Sequence, residues 1–136
     1  MTESFWPDLP TVKVRTPHAI LLEQASALAE QTRGLLVGQV RRSQENKDFV
    51  SHLSILAPSL NNYTYVVLSL TYPIGLYPSR LFFHARNQEF QIADEQMLLT
   101  GLKVVLSSDE IKRVMSGLLA QFRGDEDIKA ETTGRS

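Results

Sequence analysis

A chain of 136 residues that is 43% hydrophobic and 21% charged has the make-up of one globular domain, long enough for a single core and too short for two. It contains no cysteine, which excludes disulfides, thiolate metal sites and a cysteine nucleophile. Its formal charge of −1 divides into −2 on residues 124–136, where Asp125, Glu126, Asp127 and Glu131 outnumber Lys129 and Arg135, and +1 on the remainder, so no basic cluster argues for binding a nucleic-acid backbone.

At the start, Phe5-Trp6-Pro7-Asp8-Leu9-Pro10 combines two large aromatics with two prolines, a composition that favours extended backbone. Residues 1–15 therefore read as an arm that docks on the body, where burial of Phe5 and Trp6 would contribute about 1.5–3 kcal/mol each. Residues 11–15 alternate as a short edge strand would. No basic stretch followed by an apolar run opens the chain, and nothing approaches the roughly 18 apolar residues of a membrane span, so a soluble, cytoplasmic protein is expected.

Thr16-Pro17 predicts a helix start, with threonine as cap and proline at the first helical position. Leu21, Ala25, Leu28 and Ala29 form its apolar stripe, and Gly34 supplies the stop. Residues 35–42 suit a first strand, although Leu35-Leu36-Val37 is apolar on both faces and Gly38 weakens the pattern. The polar run 43–48 is a solvent-facing turn.

Residues 49–92 organise the rest, because apolar residues recur there at every second position. Phe49, Leu53, Ile55 and Ala57 share one face of a strand, opposite Val50, His52, Ser54 and Leu56. In 63–72 the better core set is Thr64, Val66, Leu68, Leu70 and Tyr72, opposite Tyr63, Tyr65, Val67, Ser69 and Thr71. In 80–86, Leu81, Phe83 and Ala85 oppose Arg80, Phe82, His84 and Arg86. Pro58-Ser59-Leu60-Asn61-Asn62 has the residues of a hairpin turn, and the apolar loop 73–79 is bounded by prolines that cannot donate to a central ladder. A one-residue slip in register would exchange the faces.

Phe90 and Ile92 continue as a short fifth strand. Asp94 caps a helix bearing Met97, Leu98, Leu102 and Val105, interrupted by Gly101. Ser107-Ser108-Asp109-Glu110 fits a capping box for the last helix, in which Ile111, Val114, Met115, Leu118, Leu119 and Phe122 follow helical spacing up to Gly124. The polar residues 124–136 have little to bury and are expected to be disordered. The fold class is α+β: a four- or five-stranded antiparallel meander, with an N-terminal helix and two C-terminal helices on one face, spanning 16–123.

Chemistry is sparse. None of His18, His52 and His84 has metal-ligand spacing, and no phosphate loop, dinucleotide fingerprint or nucleophile elbow occurs, so neither metal nor cofactor is expected. The adjacent acids Asp94-Glu95 and Asp109-Glu110 sit where helices begin and suit capping. Two surfaces remain. The first is apolar: Val50, Leu56, Val67 and Phe82 on the sheet face opposite the helices, joined by Ile74, Leu76 and Tyr77 of the 73–79 loop. Such a patch predicts a protein partner, most simply a second copy of the chain in a two-fold dimer. The second is the rival ligand or catalytic surface, His52, Tyr65 and His84 with Arg80 and Arg86, which lacks a carboxylate to orient a base. The order of elements resembles that of small acidic secretion chaperones, which are α+β dimers, without a shared motif. The function this predicts is a non-catalytic interaction or adaptor module.

Overall fold

In the computed structural model, which describes residues 3–8 and 14–134 and side chains as far as Phe122, helix α1 (Pro17–Gln31) begins as its sequence dictates. The Thr16 hydroxyl accepts from the Ala19 amide at 3.0 Å, and proline fills a place whose N–H has no intrahelical partner. The chain leaves the helix through Arg33 and Gly34, both left-handed, and the Gly34 amide donates to the Ala29 carbonyl at 2.8 Å.

Five strands follow: β1 (Val37–Glu45), β2 (Asp48–Ala57), β3 (Tyr63–Tyr72), β4 (Ser79–Phe83) and β5 (Gln88–Ile92). They form the expected antiparallel meander, in the order β1-β2-β3-β4-β5. Its tight turns use asparagines in the left-handed region, Asn46, Asn61, Asn62 and Asn87, a conformation that short polar side chains tolerate. Then come α2 (Glu95–Leu106) and α3 (Asp109–Gly134).

The junction between these two helices differs from the expected capping box. Ser107 turns back to the Lys103 carbonyl at the end of α2, and it is Ser108 that receives the Ile111 amide. Glu110 pairs with Arg86 across the fold. Helix α3 also runs past Gly124, where the sequence predicts its stop; one glycine costs about 1 kcal/mol, which the helix formers around it offset.

The core joins Leu53, Ile55, Leu68, Leu70, Leu81, Phe83 and Ile92 of the sheet to Ile20 and Leu21 of α1, Leu98 and Leu102 of α2, and Ile111 of α3. All three helices thus cover one sheet face. The closest approach is at Gly38 of β1, where a β-carbon would fall 2.6 Å from the Ala25 Cβ and 3.0 Å from the Ala25 carbonyl oxygen. Only a residue without a side chain lets α1 lie so near the strand.

One expected face is corrected. Leu53 pairs with Leu68 and Ser54 with Val66, so Val67 is a surplus residue, a β-bulge that reverses the alternation along β3. On the N-terminal side of the bulge, Tyr63 and Tyr65 align with Ala57 and Ile55 on the helix side, while Thr64 and Val66 turn outward. Val67 is 1% exposed and belongs to the core, and Val66 is 41% exposed. The aromatic arm also differs: Phe5 and Trp6 are 92% and 86% exposed, so neither docks on the body. Residues 9–13, which include most of the expected edge strand, lie outside the described residues.

Two stability outcomes follow from these contacts. Val67→Glu should cost about 3 kcal/mol or more by stranding a carboxylate in the core, whereas Val66→Glu should shift the stability of the dilute monomer by less than about 1 kcal/mol in urea denaturation. Gly38→Ala should destabilise by about 1–3 kcal/mol, and adding Ala25→Gly should not restore the urea midpoint, because the helix backbone itself is in the way.

Candidate functional site

Ser51 and His52 are neighbours on β2, and the pleat sends them to opposite faces of the sheet. Each anchors a hydrogen-bonded chain. On the helix side, the Ser51 Oγ meets the His18 Nδ1 at 2.9 Å and the Tyr72 hydroxyl at 3.1 Å. On the open side, His52 Nδ1 lies 2.7 Å from the Ser69 Oγ, which lies 2.8 Å from His84 Nε2. The single hydroxyl proton of Ser69 can go to only one imidazole, so the other ring must donate its own N–H to the serine oxygen. The Phe82 ring meets His84 edge-on, with centroids 4.9 Å apart.

Strand register extends this group into a row. Arg41, His52, Ser69, Phe82 and Glu89 stand side by side across all five strands, and Ser43, Val50, Thr71, Arg80 and Gln91 form the row beside it. Arg80 and Glu89 approach to 3.8 Å, both largely exposed, a pair of small energetic worth. A shallow depression of about 260 Å³ lies over this end of the face, lined by Glu45, Asp48, Thr71, Arg80, Phe82 and Glu89.

Of the expected ligand surface, the fold therefore unites His52, His84 and Arg80 and removes the other two members. Tyr65 lies on the helix side, next to Arg113 and Val114 of α3. Arg86 spans the Phe83 ring at 5.4 Å and is bound to Glu110. Of the expected interaction surface, Leu56 and Phe82 are half-buried on the open face and Val50, on the same face, is shielded by its neighbours. In the 73–79 loop Ile74 is 84% exposed, while Leu76 and Tyr77 are half-buried. Burial, and then the charge of Glu95, raise the pKa of the Tyr77 phenol, whose hydroxyl has no hydrogen-bond partner among the described residues.

Sequence reasoning overlooked Ser69, which joins the two histidines, and Arg41, which faces His52 from the edge strand. The pairing that places them was hidden in the register. It also overlooked Ser51 as the partner of His18.

Burial lowers the pKa of His84, with a further contribution from His52, and burial followed by Arg42 lowers that of His18. The serine between two imidazoles is poorly built for acyl transfer. Its backbone belongs to the ladder of a central strand, which leaves no free amide pair for an oxyanion, and no carboxylate hydrogen-bonds to His52 or His84 among the described residues. No group of three or more His, Asp or Glu among the described residues is placed to hold a metal ion. What the face offers is a surface of mixed charge, imidazole and apolar groups. No protein-family model, curated protein or solved structure matches this chain.

The lowered histidines set a pH dependence. Their folded pKa values lie below the ordinary 6.5, so the unfolded chain takes up protons first as pH falls. The stability they confer is complete above about pH 6.5 and is lost as pH drops through the folded values. Urea midpoints should therefore decline from about pH 7.5 to about pH 5.5, and the His18→Gln/His84→Gln double variant should show a flatter profile.

Proposed function

We propose that this chain is a non-catalytic protein-interaction module that works as a homodimer through the open face of its sheet. The observation that carries this function is the uncovered face: α1, α2 and α3 stack on the opposite side, while Leu56, Val66 and Phe82 point outward from β2, β3 and β4. Apolar groups gathered on one face, rather than scattered, mark a contact surface. A second copy is the simplest partner, because two-fold symmetry lets one patch serve both sides. The 73–79 loop, with Ile74 outward, is the next surface to consider. No described helix is long and apolar enough to cross a membrane, and the proposal places the dimer in the cytoplasm.

A small-molecule site is the rival function, favoured by the hydrogen-bonded chain of His52, Ser69 and His84. It is weakened by the loss of Tyr65 and Arg86 to the helix side, which leaves a shallow surface without walls.

Size-exclusion chromatography with light scattering, at tens of micromolar protein, tests the proposal. The wild-type chain should elute at twice its monomer mass. Leu56→Glu and Phe82→Glu should each yield a monomer with unchanged far-UV circular dichroism. A wild-type monomer would overturn the proposal and turn attention to the histidine surface.

A further inference from the structure

The open face carries its charges asymmetrically, and that asymmetry defines how two copies can meet. Along the central row, Arg41 stands on β1 at one side of the sheet and Glu89 on β5 at the other, with Ser69 of β3 midway between them. Both side chains are exposed, and Arg41 has no ion-pair partner among the described residues.

We propose that two copies stack face to face about a two-fold axis running along β3, so that Arg41 of each pairs with the partner's Glu89. The alignment deepens the dimer proposed above and rests on it. A rotation about β3 exchanges left and right while keeping each row in place. Arg41 then lies over the partner's Glu89 at both sides, His52 lies over the partner's Phe82, and Ser69 meets its own copy at the centre.

Axes that run across the strands instead place like charges together. An axis across the strands through this row would stack Arg41 on its own copy and Glu89 on its own copy. Moved by one row, so that Arg41 meets the partner's Glu45, the same axis stacks Arg80 on its copy. Joining two β1 edges in one continuous sheet is opposed by Arg41 and Arg42, both exposed on that edge, since charged edge strands resist pairing.

Reach suits the arrangement, and the contact is compact. With strands about 4.8 Å apart and residues about 3.3 Å apart, laying the short β5 and β4 over β1 and β2 and β3 over its own copy brings together roughly 500 Å² of each face, a small interface beside the roughly 800 Å² per partner of a standard one. Aligned sheets cross at about 30°, which displaces the outer strands by several ångströms, and long side chains such as arginine and glutamate span that offset.

Charge reversal tests the alignment on the full chain, with mass from light scattering and dimer dissociation from dilution. Arg41→Glu and Glu89→Arg should each weaken the dimer by about 10-fold or more, because each creates two like-charge contacts across the axis. The double variant Arg41→Glu/Glu89→Arg should return to within about 3-fold of wild type, as should an equimolar mixture of the two single variants, which forms complementary heterodimers. Lys47→Glu makes the same charge change in the turn beyond β1 and should leave dissociation unaltered. A wild-type dimer that neither reversal weakens, or that the double variant fails to restore, would overturn the alignment while leaving the dimer intact. A wild-type monomer would instead overturn the dimer and, with it, the alignment.

Discussion

Between Leu53 and Ser54 of β2 the opposing strand carries one residue more than the ladder can pair, and the two faces of the sheet depend on where that surplus residue goes. Val67 turns inward and is 1% exposed. Strict alternation would have placed Tyr65 outside with the histidines and Val66 in the core. The bulge reverses both, so that Tyr65 faces α3 and Val66 faces outward. An apolar residue at a bulge costs the ladder a pairing but gains burial, worth about 1.5–3 kcal/mol for a valine-sized side chain.

The helix layer then makes the two faces unequal. α1 reaches β1 only because position 38 is glycine, and α2 and α3 complete the cover over β3, β4 and β5 with Leu98, Leu102, Ile111 and their neighbours. With every described helix committed to one side, the opposite side is left without helical cover. Burial and exposure here are consequences of the same packing: what makes the core also leaves Leu56, Val66 and Phe82 outward.

Adjacent residues on β2 divide the polar groups between these two environments. Ser51 links His18 to Tyr72 beneath α1, tying the helix to the sheet through a part-buried chain of hydrogen bonds. His52, one residue on, belongs to the open face and joins His84 through Ser69. In the first chain the buried Ser51 and Tyr72 hydroxyls satisfy one another. In the second the Ser69 hydroxyl holds two imidazoles in place at the centre of the surface proposed for contact.

Much of the fold was legible locally. Thr16-Pro17, Asp94 and the asparagine turns announce where elements begin and reverse, because capping and left-handed backbone are decided by a few neighbouring atoms. Period-two and helical spacing likewise identified the meander, the three helices and the shared side of His52 and His84. The capping partner of Glu110, the extent of α3 and the face of Tyr65 were not legible, since each depends on a residue distant in the chain or on a register that alternation alone leaves free. By itself, then, the sequence determined the elements, their order and the α+β class, through interactions spanning a few residues. Tertiary structure alone decided that Val67 is core and that Tyr65 leaves the histidine surface, because one surplus residue in a ladder is invisible until two strands pair, and it alone drew Arg86 away to Glu110 and set Ser69 between the two imidazoles, because those contacts join residues distant in the chain.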